Sequence, residues 1–179
     1  PNSYPVPERL TFCGQVVKFE GSDLKRRFEL ELIKILKNRA QVGLYIKRAT
    51  AVFPVIDDIA LELNTCADLK YVAVVESALK PRVMSHAKAV GWWQFMPRTA
   101  EGFKLQVNAY LDERSDLVAS TRAALRYLTR LKKRFRGSWL MSMAGYNTGP
   151  GRLKRLLGEQ AQERFWDLDL FTEAERYSP

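Results

Sequence analysis

The stretch "DLVASTRAALRYLTRLKKRFRG", Asp116–Gly137, sets the fold class. Leu117, Ala124, Leu128, Leu131 and Phe135 recur on one helical face, while Arg and Lys occupy the other. Asp116 offers a carboxylate at the N-cap position and Gly137 offers a stop. Downstream, Ser138 restarts a short apolar helix, "WLMSMAGYN", which "TGPG" breaks before "GRLKRLL" opens another helical segment. Upstream, Ser22 offers a cap, and Leu24, Phe28, Leu32, Ile35, Val42 and Ile46 follow at helical spacing. Pro54 suits a first-turn position in a second helical stretch, "PVIDDIALELN". Asp68 caps a third, "LKYVAVVES", limited by Pro81, and Lys80–Met96 reads as loop followed by a short helix. Strand-like patches are confined to Pro1–Gly21, where three prolines favour an extended arm. The expectation is a mainly α protein: an arm over residues 1–21 and a single helical domain over residues 22–179.

A chain of 179 residues with 46% hydrophobic side chains can bury an ordinary core, and it has no apolar run long enough to cross a bilayer. Beginning at Pro1 with no basic-then-apolar leader, it reads as a mature or trimmed product, which leaves export open. A net charge of +9 favours an anionic partner: nucleic acid, a membrane surface or an acidic wall polymer. The charge does not choose among them, and the dispersed basic residues serve equally well as solvated helix faces. Cys13 and Cys66 have no CxxC or Cys/His companions, and a single histidine argues against a zinc site. Either one disulfide pins the arm to the body of an exported protein, or two thiols are buried unpaired.

Chemistry concentrates in "VVESALKPRVMSHAKAVGWWQFM", Val74–Met96. Glu76 is its only acidic residue, at the end of an apolar helix, where burial would raise the carboxyl pKa towards that of a general acid. An exposed helix-end glutamate is the plainer alternative. Trp92, Trp93 and Phe95 supply aromatic faces that suit sugar rings, and Gln94 supplies an amide for hydroxyl or N-acetyl groups. Aromatic clusters serve cores as well as sites, and Tyr146-Asn147 before "TGPG" can equally be helix-end chemistry.

Taken together, Glu76-Ser77, Pro81 and Ser85, Gly91-Trp92-Trp93-Gln94 and Gly145-Tyr146-Asn147 resemble the ordered motifs of family 23 glycoside hydrolases. These are lytic transglycosylases with a goose-type, lysozyme-like helical fold. "DERSDLVASTRAALRYL" resembles the family's Asp-x-Arg-x-Asp segment, and "TEAERYSP" a worn form of its terminal Tyr-containing motif. The match is strongest over residues 68–157. Gly145 departs from the family's alanine, and His86-Ala87-Lys88 stands where relatives carry small polar residues.

The resemblance implies cleavage of the bond between N-acetylmuramic acid and N-acetylglucosamine by one carboxyl, with no metal and no cofactor. Glu76 would act as acid and then base. Ser85 would steady the N-acetyl group, and Gln94 would bind sugar near the cleavage point. Tyr146, Asn147, Trp93 and the outlying Tyr177 would contact substrate. One of Trp92 and Trp93 would belong to the core, and Ser77 would be structural. The implied partner is the peptidoglycan glycan strand in the periplasm or cell envelope, with wall or membrane association through regions outside this chain; no nucleic acid is expected. Two rivals remain: a wall-binding protein without turnover, and a nucleic-acid binder using Arg122, Arg126, Lys133 and Arg136, around which no recognisable binding motif lies.

Overall fold

The arm folds back on itself. In the computed structural model, which describes residues 7–19 and 22–159, β1 (Arg9–Phe12) pairs antiparallel with β2 (Gln15–Lys18), Arg9 opposite Lys18 and Phe12 opposite Gln15. Cys13 and Gly14 form the two-residue turn, both at positive φ (50° and 74°), the conformation that matches strand twist in tight hairpins. Val17 and Phe19 bury their side chains, and Phe19 packs on Phe28 with ring centroids 4.5 Å apart. A disulfide joins Cys13 to Cys66, which decides between the two cysteine alternatives. Cys13 N–H also donates to the Asp68 carboxylate at 2.7 Å. Asp68 is therefore a tie for the hairpin rather than the helix cap expected.

The chain divides into two compact units, Pro1–Tyr127 and Leu128–Pro179. In the first, α1 (Ser22–Lys37) and α2 (Arg39–Glu62) are separated at Asn38, whose side chain accepts from Gln41 N–H at 3.2 Å. The apolar spacing in the sequence runs across this break, yet Ile35 and Ile46, two residues of that pattern, are 52% and 62% exposed. Pro54 does not begin a helix, as expected, but lies inside α2. Both Pro54 and Thr50, whose carbonyl loses its N–H partner to the proline ring, are exposed, so water can take the vacated bond. A 3-10 turn (Ala67–Leu69) leads into α3 (Lys70–Ser77), followed by the loop to Met96, the short α4 (Pro97–Gly102) and the 3-10 turn Glu113–Ser115. Then α5 (Leu117–Arg134) begins with Asp116 accepting from Ala119 N–H at 2.7 Å, as its sequence predicts. Ile56, Leu69, Ala73, Trp93, Phe95 and Leu125 form the centre of the core, each 2% exposed or less.

In the second unit, the end of α5 is joined by α6 (Trp139–Thr148) and α7 (Pro150–Glu159). Ser138 caps α6 by accepting from Met141 N–H at 3.2 Å. The buried Ser142 hydroxyl donates to Leu128 C=O at 2.7 Å, fixing α6 on α5. Gly145 faces the Phe135 ring so closely that a Cβ there would sit 2.8 Å from Cε2. The glycine in place of the expected alanine is thus the space that Phe135 occupies.

Candidate active site

Glu76 lies in the last turn of α3. That helix buries Val72, Ala73 and Ser77 and exposes Tyr71 and Val75, which leaves Glu76 at the boundary, partly buried. Burial pushes its carboxyl up to about 7, and among the described residues no ion pair offsets it. A carboxyl that titrates near neutrality can donate a proton and then take one back.

The chain turns abruptly after Glu76. Ala78 and Leu79 both adopt left-handed backbone, at φ 54° and 55°. Non-glycine residues there cost on the order of 1–3 kcal/mol each, so the surroundings must hold them. Ala78 N–H donates to Val74 C=O at 2.9 Å, Arg48 Nη1 donates to Ala78 C=O at 2.9 Å, and the Leu79 side chain is 2% exposed. Lys88 (φ 68°) and Gln94 (φ 49°) add two more strained positions in the following loop. Such residues gather where geometry serves function.

Ser77 connects helix to loop. Its hydroxyl lies 3.0 Å from Ala73 C=O and 2.8 Å from Trp92 C=O, and it accepts from Lys80 N–H at 3.3 Å. The loop itself is laced by the isolated pairings Met84–Val90 and Val90–Phe95. Ser85 closes a tight turn, accepting from Ala89 N–H through its side chain at 3.0 Å. Among the described residues that hydroxyl meets no acceptor for its own proton. Gln94 Nε2 donates to both Val83 C=O and Gly91 C=O at 3.0 Å, which commits its two amide hydrogens inside the loop and leaves Oε1 as its acceptor. Gly91 is held at φ +87°, and a Cβ would come within 1.8 Å of Arg114 C=O, so no other residue fits.

Arg114 is the residue that sequence reasoning missed. It is 6% exposed, and its Nε and Nη2 donate to Asp112 at 2.8 and 2.7 Å. Its Nη1 reaches Lys88 C=O at 3.0 Å and Phe95 C=O at 3.2 Å, spanning both ends of the loop. The guanidinium holds the Asp112 carboxyl below its usual range. The signal in the sequence was the Asp-x-Arg spacing.

One expectation needs correction. Trp93 has no exposed surface and its Nε1 donates to Thr121 Oγ1 at 3.0 Å, so it is core and cannot stack on a sugar. Trp92 is the partly exposed one, its Nε1 donating to Ser115 C=O at 2.9 Å.

Ser77, Ser85 and Gln94 thus belong to one hydrogen-bonded loop, which Ser77 ties to the end of α3 that carries Glu76. Tyr146, half-buried, and Asn147, exposed, lie in the last turn of α6 in the second unit. Tyr177 falls outside the described residues. Donor atoms of Cys13, Cys66 and Asp68 lie within 4.8 Å of one another. The sulfurs are spent in the disulfide and the carboxylate on Cys13 N–H, so this cluster is a staple and not a thiolate metal site. Arg122 of the basic helix face forms a bidentate pair with Glu62, which removes it from any free basic stripe. Among the described residues, no helix is long and apolar enough to cross a membrane.

The membrane-bound lytic murein transglycosylase D of Escherichia coli (strain K12) is 34% identical over 176 residues, 93% of this chain. The chain spans only 39% of that relative's length. Among solved structures, the 70-kDa soluble lytic transglycosylase in complex with bulgecin A superposes with a TM-score of 0.61 at 24% identity, covering 75% of this chain and 23% of that one. An inactive glutamate-to-glutamine variant of the lytic transglycosylase Slt from Pseudomonas aeruginosa gives 0.56 at 21% identity, covering 69% of this chain and 21% of that one. These likenesses establish the lysozyme-like helical fold. The family model described as the transglycosylase SLT domain matches residues 65–168, more than half of the chain and the whole of the frame around Glu76. The protein therefore belongs to the transglycosylase SLT domain family.

Proposed function

We propose that this chain is a peptidoglycan lytic transglycosylase in which Glu76 is the single acid and base. The observation that carries this reading is a carboxyl pushed up to about 7 by burial at the rigidly stopped end of α3. The neutral carboxyl protonates the glycosidic oxygen between N-acetylmuramic acid and N-acetylglucosamine as the β-1,4 bond breaks. The substrate's N-acetyl oxygen closes onto the anomeric carbon. The Glu76 carboxylate then takes the proton of the C6 hydroxyl, whose oxygen bonds to C1 and restores the N-acetyl group, giving a 1,6-anhydro product. Most glycosidases need a second carboxylate; here the substrate supplies that role, and the scheme calls for no metal or cofactor.

Within this scheme Ser85 donates its hydroxyl proton to the N-acetyl group. Gln94 accepts from a sugar hydroxyl through Oε1, its amide hydrogens being committed. Tyr146 and Asn147 are assigned further sugar contacts. The partner is the glycan strand of peptidoglycan, and the setting is the cell envelope, in keeping with the relative's name and with a disulfide that persists in oxidising compartments. Purified peptidoglycan digested with wild type and with Glu76→Gln, with sugar ends identified by mass spectrometry, tests the proposal. Anhydro ends from wild type and none from the variant are expected. Reducing ends alone from wild type, or equal activity in the variant, would refute it.

A further inference from the structure

Arg114 is a buried charge that the chemistry above does not use. Salt-bridging to Asp112 alone would need only two of its nitrogens, yet Nη1 is directed at two backbone carbonyls, Lys88 and Phe95. These flank the turn Gly91–Gln94. The opposite side of the same contact is the Arg114 backbone, whose carbonyl leaves no room for a Cβ at Gly91. Backbone and side chain of one residue therefore grip the turn at its start and at both ends of its loop. The turn in turn holds the end of α3 through the Ser77 hydroxyl and Trp92 C=O, 2.8 Å apart.

We propose that Arg114 is a positioning residue that latches the Lys88–Phe95 loop against the Glu76 helix end and thereby sets how the reaction intermediate is captured. Two nucleophiles compete for the anomeric carbon once the glycosidic bond is broken. If the C6 hydroxyl attacks, O6–C1 forms, its proton passes to Glu76 and the product is anhydro. If water attacks, its oxygen bonds to C1, its proton passes to the same carboxylate and the product has a reducing end. Both routes restore the N-acetyl group and the neutral carboxyl, so they differ only in which oxygen is in place. A latched loop keeps the ring aligned and water out; a loosened one admits water. This inference rests on the transglycosylase reading.

Arg114→Lys tests it. Lysine keeps the charge, but one ammonium cannot serve the planar fork to Asp112 and two carbonyls together. On soluble glycan fragments, kcat should fall by about 10- to 100-fold, with KM moving much less. The share of reducing ends should rise at least about threefold. That share does not depend on how much enzyme is folded, so a purely structural role would leave it unchanged. Asp112→Asn, which frees one side of the guanidinium and leaves the carbonyl contacts, should shift the same ratio by less and decides the matter if Arg114→Lys does not fold. An unchanged product ratio in the folded variant overturns the proposal. Reducing ends alone from wild type, with no anhydro ends, would instead refute the transglycosylase reading, leaving the latch to be judged by the kcat–KM split, where a parallel change or none overturns it.

Discussion

The burial of Glu76 predicts a stability difference that needs no substrate to measure. Its carboxyl titrates at about 7 in the folded chain against an ordinary 4.5. The folded state thus holds this proton more tightly than the unfolded chain, so stability falls as pH rises between those values. The contribution is fully present below 4.5 and is lost once pH has risen through about 7. At roughly 1.36 kcal/mol for each pH unit, the gap corresponds to about 3 kcal/mol by pH 8. Glu76→Gln keeps the shape and removes the ionisation. At pH 4 the two proteins should melt together, whereas at pH 8 the variant should melt higher by roughly 6–12 °C for a domain of this size. Taking the difference between the two melting curves cancels every other titrating group. Parallel curves across this range would show that Glu76 is not desolvated and would remove the physical basis for its role as acid.

Two further predictions concern the frame. Replacing both Cys13 and Cys66 with serine opens a closed loop of 53 residues' separation and should cost about 4 kcal/mol, read by urea denaturation, with reductant producing a matching loss in wild type. Gly145→Ala should bring a Cβ to 2.8 Å from the Phe135 ring, costing about 1–3 kcal/mol, partly offset by roughly 1 kcal/mol of helix propensity. Combining it with Phe135→Leu should recover stability beyond the sum of the single changes, by at least about 1 kcal/mol of coupling in a double-mutant cycle.

Helices with one clear face and a cap were legible in the sequence: α5 begins at Asp116 as read, and α6 at Ser138. Pro54 and Asn38 were not legible because a local rule takes no account of its surroundings: an exposed proline can sit inside a helix, and an asparagine within a run of helically spaced apolar residues can still cap one. At the site, the burial of Glu76 was legible because its neighbours along α3 are apolar. Trp92 and Trp93 were not separable, since they lie in a turn, where periodicity assigns no face. Arg114 was hidden for a different reason. Its partners are backbone carbonyls at Lys88 and Phe95, and carbonyls leave no trace in residue identity.

The Cys13–Cys66 bond also has a mechanical meaning. A pull applied upstream of Cys13 bypasses α1 and α2 entirely and arrives at Cys66, immediately before the 3-10 turn that leads into α3. The 53-residue separation conceals roughly 180 Å of contour length from such a force, at about 3.4 Å for each residue. Stretching the oxidised chain would show an extension shorter by that amount than stretching the reduced one. A tether on the arm is, through this covalent shortcut, a tether on the helix that carries Glu76.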